Sequence, residues 1–180
     1  ADIDPIPVAQ VRATLTDVAL SDLQNAFDRF FADLYARIGR YSQTECPECQ
    51  KTLDAQYTLY GLRKSCACGE AVQIDQYDLR HEADRTVRIC PQTWQITDGP
   101  GDSQIAPKPA RLILKGETHC PTCGQQYQEL LDLPFFARYV PFAIVGLCPE
   151  HGLFFRSPSQ ADLARIQEAD EQRPSLDFGP

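Results

Sequence analysis

Cys46-Pro-Glu-Cys49, Cys66-Ala-Cys68, Cys120-Pro-Thr-Cys123 and Cys148-Pro-Glu-His151 are the stretches whose reading decides how this chain folds. Each presents two soft or borderline donors from one tight turn. Two such turns together supply the four thiolate and imidazole ligands with which Zn²⁺ closes a tetrahedral structural site. The chain has eight cysteines, so with His151 they make two four-ligand sites and leave Cys90 over.

Taken in chain order, the turns pair as Cys46, Cys49, Cys66 and Cys68 in a first site and Cys120, Cys123, Cys148 and His151 in a second. The spacers are 16 residues from Cys49 to Cys66 and 24 from Cys123 to Cys148; the first fits a paired-turn zinc site and the second is slightly long. Proline after the first cysteine presets its own φ and leaves no N–H to satisfy. Gly69, Gly124 and Gly152 follow three of the turns, where the chain needs positive φ. Cys66-Ala-Cys68 is one residue shorter than the others. This leaves open whether Cys90 replaces Cys66 or Cys68, and whether His119, beside Cys120, substitutes for a ligand or supports one.

Disulfides compete for the same residues. Against them stand a histidine at a ligand position, turns spaced for metal, and a chain too long to need stapling. A thioredoxin-like redox reading requires a helix after Cys-x-x-Cys within a βαβ unit, and neither pair is followed by a helix start.

The length of 180 residues suits one or two small domains, and 43% hydrophobic with 23% charged residues is ordinary for a globular protein. No apolar run reaches the roughly 18 residues of a membrane span. The longest, Tyr139–Leu147, is broken by Pro141 and Gly146 and reads as a strand. Reduced thiols make a cytoplasmic setting the expectation. The net charge of −8 is spread over the chain and leaves no basic stripe of the kind that neutralises phosphates, which disfavours nucleic acid as a partner.

Residues 1–10, with Pro5 and Pro7, read as extended, while Val11–Leu15 fits strand or helix. From Ser21 to Ile38 the pattern is helical: Leu23, Phe27, Phe30, Phe31, Leu34 and Ile38 share one face, opposite Asp28, Arg29, Asp33 and Arg37. Ser21 with Gln24 has the form of a capping box, and Gly39 is a natural stop. The phenylalanine stripe is expected to pack on the first ribbon; a docking or dimerisation helix is the alternative. No sustained heptad supports a long coiled coil.

The expected organisation is α+β, with two small zinc-ribbon-like β units, an N-terminal amphipathic helix and a C-terminal helix. Its segments are 1–40 with the helix, 41–98 as the first ribbon unit, a Pro/Gly-rich linker 99–110, 111–172 as the second unit with its terminal helix, and a disordered tail 173–180. Candidate strands are Ala55–Leu62, Glu70–Ile74, Thr86–Ile89, Trp94–Thr97, Arg111–Leu114, Phe142–Val145 and Leu153–Phe155. Ser157 with Pro158 opens the last helix, whose Leu163 and Ile166 face inward.

No catalytic residue is assigned. Each ligand set is complete, leaving no coordination position for an activated water. The His-x-Glu of a zinc deaminase is missing before Cys120. Cys90, with His81 or His119 as base, is the one candidate nucleophile, against the commoner role of a core thiol.

The paired turns resemble the broad zinc-ribbon group. Cys120-Pro-Thr-Cys123, an apolar strand and Cys148-Pro-Glu-His151-Gly152 also look like the zinc finger of TniQ-type transposition-targeting proteins, although that family's Trp/Arg/His-Gln stretch and helix-turn-helix are missing here. The two four-ligand sets imply two zinc ions, and the aromatic surfaces and helices imply a protein partner or larger complex. The expectation is therefore a non-enzymatic two-zinc adaptor. A nucleic-acid-associated ribbon factor and a rubredoxin-like iron module are the alternatives.

Overall fold

The structure, a computed structural model, describes residues 5–15, 17–82, 85–97 and 110–172. Residues 99–109 of the expected linker and the tail 173–180 lie outside the described residues. The fold is α+β, with helices at both ends and two β-sheets between them. It divides into two compact units, Ala1–Arg40 and Tyr41–Pro180.

In the first unit, Pro5 and Pro7 do not extend the chain. They occupy the first turn of helix α1 (Pro5–Leu15), where the N–H that proline lacks has no intrahelical partner in any case. Val11–Leu15 belongs to the same helix. Helix α2 (Leu20–Ser42) follows the predicted period but begins one residue before Ser21. The expected capping box gives way to Ala19, whose carbonyl accepts from the N–H groups of Asp22 and Leu23, while the Gln24 amide donates to Asp28. The helix also runs through Gly39. A Cβ there would lie 2.8 Å from the Tyr35 ring, so this glycine makes room for an aromatic side chain instead of ending the helix.

Within this unit the phenylalanine stripe has no apolar cover: Leu23, Phe27, Phe30, Phe31 and Ile38 are all exposed.

In the second unit, β1 (Gln43–Glu45) leads through the first cysteine turn into β2 (Thr52–Cys66), a strand of 15 residues. β3 (Gly69–Ile74) returns beside it. β4 (Asp78–Glu82), β5 (Arg85–Ile89) and β6 (Ile96–Thr97) form a separate three-stranded antiparallel sheet. β7 (Arg111–Leu114) pairs parallel with β3, so the small sheet lies on the crossover that parallel neighbours require. β8 (Gln128–Glu129), β9 (Tyr139–Cys148) and β10 (Gly152–Arg156) complete a seven-stranded sheet. Its path runs β10-β9-β2-β3-β7, with β1 and β8 also paired to β2.

The main core combines Val72 and Ile74 of β3, Leu112 of β7, and Val140, Phe142 and Val145 of β9 with Val87, Ile89 and Ile96 of the small sheet and Trp94 of the turn between β5 and β6. The two sheets therefore bury one another's apolar faces. Segments 41–98 and 111–172 do not build one sheet each, because β2 and β3 from the first and β7 to β10 from the second share the large sheet.

The last helix, α3 (Gln160–Gln172), starts two residues beyond the expected Pro158. Its N-cap is Ser159. The Asp162 N–H donates to Ser159 Oγ at 3.3 Å, and the Ser159 N–H donates back to Asp162 Oδ2 at 2.7 Å, a reciprocal cap. Ser157 donates its hydroxyl instead to the Trp94 carbonyl, tying the end of β10 to the small sheet. Leu163 and Ile166 are half-buried, as the helical period required.

Candidate metal centres

The antiparallel register of β2 and β9 decides which turns meet. Ala55 lies opposite Gly146 and Leu62 opposite Tyr139, so the start of β2 lies beside the end of β9. The turn before β2 therefore meets the turn after β9, and Cys46, Cys49, Cys148 and His151 converge. At the other end, Lys64 and Ser65 of β2 pair with Glu129 and Gln128 of β8. That pairing delivers the Cys120–Cys123 turn to Cys66 and Cys68, which form the second set with it. The chain-order pairing expected from the spacers is thus overturned. The eight residues still form two sets of four, with one set nested in sequence within the other.

Both sets gather four donor atoms within 4.8 Å of one another, the first at the spacing of a tetrahedral ion and the second drawn somewhat closer. Zinc–sulfur bonds of about 2.3 Å place tetrahedral sulfurs about 3.8 Å apart, and a sulfur and a nitrogen about 3.6 Å apart. In the first centre, Cys49 and Cys148 Sγ are 3.8 Å apart, and His151 Nδ1 lies 3.6 Å from Cys46 Sγ and 3.5 Å from Cys148 Sγ. In the second, Cys68 Sγ lies 3.4 Å from Cys66 Sγ and 3.3 Å from Cys120 Sγ. The donor chemistry is Cys₃His in the first and Cys₄ in the second.

The turns repeat one backbone form. Cys46 N–H donates to the Lys51 carbonyl and the Gln50 N–H donates to the Cys46 carbonyl; Cys120, Gln125 and Gly124 repeat both bonds. The residue after the second ligand has positive φ: 60° at Gln50, 70° at Gly124 and 77° at Gly152. This form aims backbone N–H groups at the first sulfur. The N–H groups of Cys123 and Thr122 hold the Cys120 thiol down to about 5, and that of Glu150 leads in holding Cys148 at about 6. Cys68 is pushed up to about 12 because it shares hydrogen bonds with Cys120, then Cys66 and Cys123. A cation that replaces the shared protons relieves the repulsion among thiolates.

Around the first centre, Glu48 Oε2 lies 3.7 Å from His151 Nε2, and Lys51 forms an ion pair with Glu150 that joins the two turns. Around the second, the Ala67 N–H donates to Gln125 Oε1 across the turns. Tyr127 is pushed to about 12 by burial and by its hydrogen bond to Cys120. None of these supporting residues was signalled by the sequence, since their roles depend on which turns meet. The centres also differ in exposure: Cys46 and Cys148 are buried in the first, whereas Cys68 and Cys123 are both exposed in the second.

Cys90 replaces neither Cys66 nor Cys68. Its turn, Cys90-Pro-Gln-Thr-Trp94, nevertheless has the same form: Cys90 N–H donates to the Gln95 carbonyl, Trp94 N–H donates to the Cys90 carbonyl, and Trp94 has φ of 59°. Thr93 stands where the other turns carry their second ligand, and Cys90 Sγ donates to Gln92 within the turn. His119 Nδ1 bonds the Thr118 hydroxyl and His81 Nδ1 that of Thr86, and neither histidine belongs to a ligand set.

Compared with protein-family models, curated proteins and solved structures, the chain finds no significant match. No helix among the described residues is long and apolar enough to cross a membrane.

Proposed function

We propose that this chain is a non-enzymatic adaptor, a β-scaffold held by two structural zinc ions that docks onto a larger assembly. The carrying observation is that each ligand set is complete, with four protein donors drawn from two turns. A catalytic zinc keeps a position for water or substrate, and a structural one does not. Cys₃His favours zinc at the first centre. The all-thiolate second centre would also accept iron, which keeps a rubredoxin-like reading attached to Cys66, Cys68, Cys120 and Cys123.

A groove of about 730 Å³ between α3 and the β2–β9 face supports the same reading. Tyr41, Tyr60, Tyr139, Leu163 and Ile166 line it, with Arg63 and Asp170 among its few charges. Aromatic and aliphatic walls with an arginine are the composition of surfaces that hold protein segments.

The test is purification of the tagged chain from its native host, with metal analysis and separate binding assays on DNA and RNA. Two zinc ions and a stoichiometric protein partner, lost on chelation, support the adaptor. Salt-dependent nucleic-acid binding without a partner would replace it with a nucleic-acid factor. A coloured protein would assign iron to the second centre.

A further inference from the structure

Helix α2 carries more exposed apolar surface than a lone helix tolerates. Leu20 is 79% exposed, Leu23 56%, Phe27 56%, Phe30 60%, Phe31 47% and Tyr35 53%. Leu20, Leu23, Phe27, Phe30 and Leu34 follow one another at steps of three, four, three and four residues, the spacing of a coiled-coil seam, until Arg37 interrupts it. Phe27 and Phe31 are 4.3 Å apart between ring centroids, and Phe30 meets Phe31 edge-on at 5.6 Å. This aromatic cluster lies at the middle of the helix. With aromatic side chains of about 150–250 Å² each, the stripe amounts to several hundred Å², comparable to one side of a standard interface.

The charges say what covers it. From Asp17 to Asp28 the chain has three acidic residues (Asp17, Asp22 and Asp28) and no basic one. From Arg29 to Ser42 it has Arg29, Arg37 and Arg40 against Asp33 alone. The helix is thus acidic at its start and basic at its end. Two copies laid antiparallel place each acidic half against the other's basic half, and their helix dipoles also oppose. A parallel pair would set like against like. The arrangement is self-complementary, as a two-fold interface requires, and its axis falls at the phenylalanine cluster.

We infer that α2 is a homodimerisation helix, pairing antiparallel with α2 of a second copy through Leu20, Leu23, Phe27, Phe30 and Phe31. This does not depend on the adaptor reading, since a dimer forms with or without an outside partner.

The test uses the full metal-loaded chain in light scattering coupled to size exclusion and in sedimentation velocity at micromolar concentrations. The expected mass is twice 20.2 kDa. Phe27→Ser with Phe30→Ser should give a monomer that keeps both metals and its β-sheet spectrum. Asp22→Arg with Asp28→Arg should weaken the dimer at least tenfold at low salt, with less effect at high salt. Orientation is decided by that second variant, because a parallel pair would be unaffected or strengthened. A wild-type monomer overturns the inference, whether the stripe is then covered by the chain's own second unit or by a different protein. A dimer that survives the phenylalanine changes overturns it equally.

Discussion

Glu48 Oε2 lies 3.7 Å from His151 Nε2, on the edge of the imidazole turned away from the three thiolates, while Nδ1 faces Cys46 and Cys148. The carboxylate favours the tautomer with its proton on Nε2, which frees the Nδ1 lone pair for the ion. Glu48 reaches that place because it stands between Cys46 and Cys49 in the opposing turn. Carboxylates in this position orient ligand histidines and raise their basicity, and their loss costs about 10–100-fold in metal affinity. Here the pair is exposed and longer than a hydrogen bond, so Glu48→Gln should cost about tenfold at the low end of that range. Competition with a chromophoric chelator reads this as one zinc released earlier. Tyr127→Phe should weaken the other centre instead, and loss of the same zinc in both variants would show that the two supports are not separate.

The nesting of the ligand sets makes a sharp stoichiometric prediction. Cys46→Ser with Cys148→Ser removes two donors from one centre, and the protein should lose one zinc and keep one. Cys46→Ser with Cys66→Ser damages both centres and should lose both. Chain-order pairing would reverse the two outcomes. Elemental analysis after gel filtration gives the count. Cobalt substitution checks the survivor, since a Cys₄ centre has more thiolate charge-transfer intensity than a Cys₃His centre.

Turn chemistry was legible because it is local. Proline after the first cysteine and glycine after the last ligand report on backbone angles within five residues, and all eight donors could be named from them. Which turns meet is set by the register of β2 against β9, whose partners lie 77 to 91 residues apart, and the spacers of 16 and 24 residues fitted a local pairing well enough to suggest it. The polar run Arg63-Lys64-Ser65 hid the last third of β2, although those residues stay half-buried through pairing on both edges with β3 and β8. The 3.6-residue period gave α2 correctly, yet periodicity shows only that a face is apolar, and it could not say what covers that face. Pro5 and Pro7 misled because proline stops a helix only beyond its first turn.

Asp162 is 2% exposed and holds Arg156 at 2.7 Å and Arg165 at 2.7 Å. Arg156 also donates to Thr44 Oγ1 and to the Glu45 carbonyl, so one guanidinium ties β1, the end of β10 and the start of α3 together. Burial alone would raise the Asp162 pKa, but the Ser159 hydroxyl and N–H, with Arg156, outweigh it and hold the carboxyl below its usual 3.8. A carboxylate with a depressed folded-state pKa contributes stability that is present above the unfolded pKa and lost as pH falls through the folded one. Asp162→Ala leaves two partly buried arginines uncompensated and should cost about 3 kcal/mol at neutral pH. That corresponds to a Tm lower by about 6–12 °C, and the gap from wild type should close below pH 4. A gap that stays constant down to pH 3 would assign the effect to lost packing.

Gly146 lies directly opposite Phe154 across β9 and β10, and a Cβ at this position would fall 2.3 Å from Phe154 Cζ. The ring has little room to retreat, since Phe154 is 5% exposed and packs with Cys46 and Cys148 beneath the first centre. Gly146→Ala should therefore destabilise the protein by about 1–3 kcal/mol through overpacking. Because the displaced ring bears on two ligand cysteines, the Cys₃His centre should lose zinc affinity while the Cys₄ centre keeps its own. A second change, Phe154→Leu, removes the clashing ring atoms and should restore part of both stability and affinity. Zinc titration of the single and double variants reads the coupling; independent, additive effects would mean that Phe154 does not transmit the strain to the ligands.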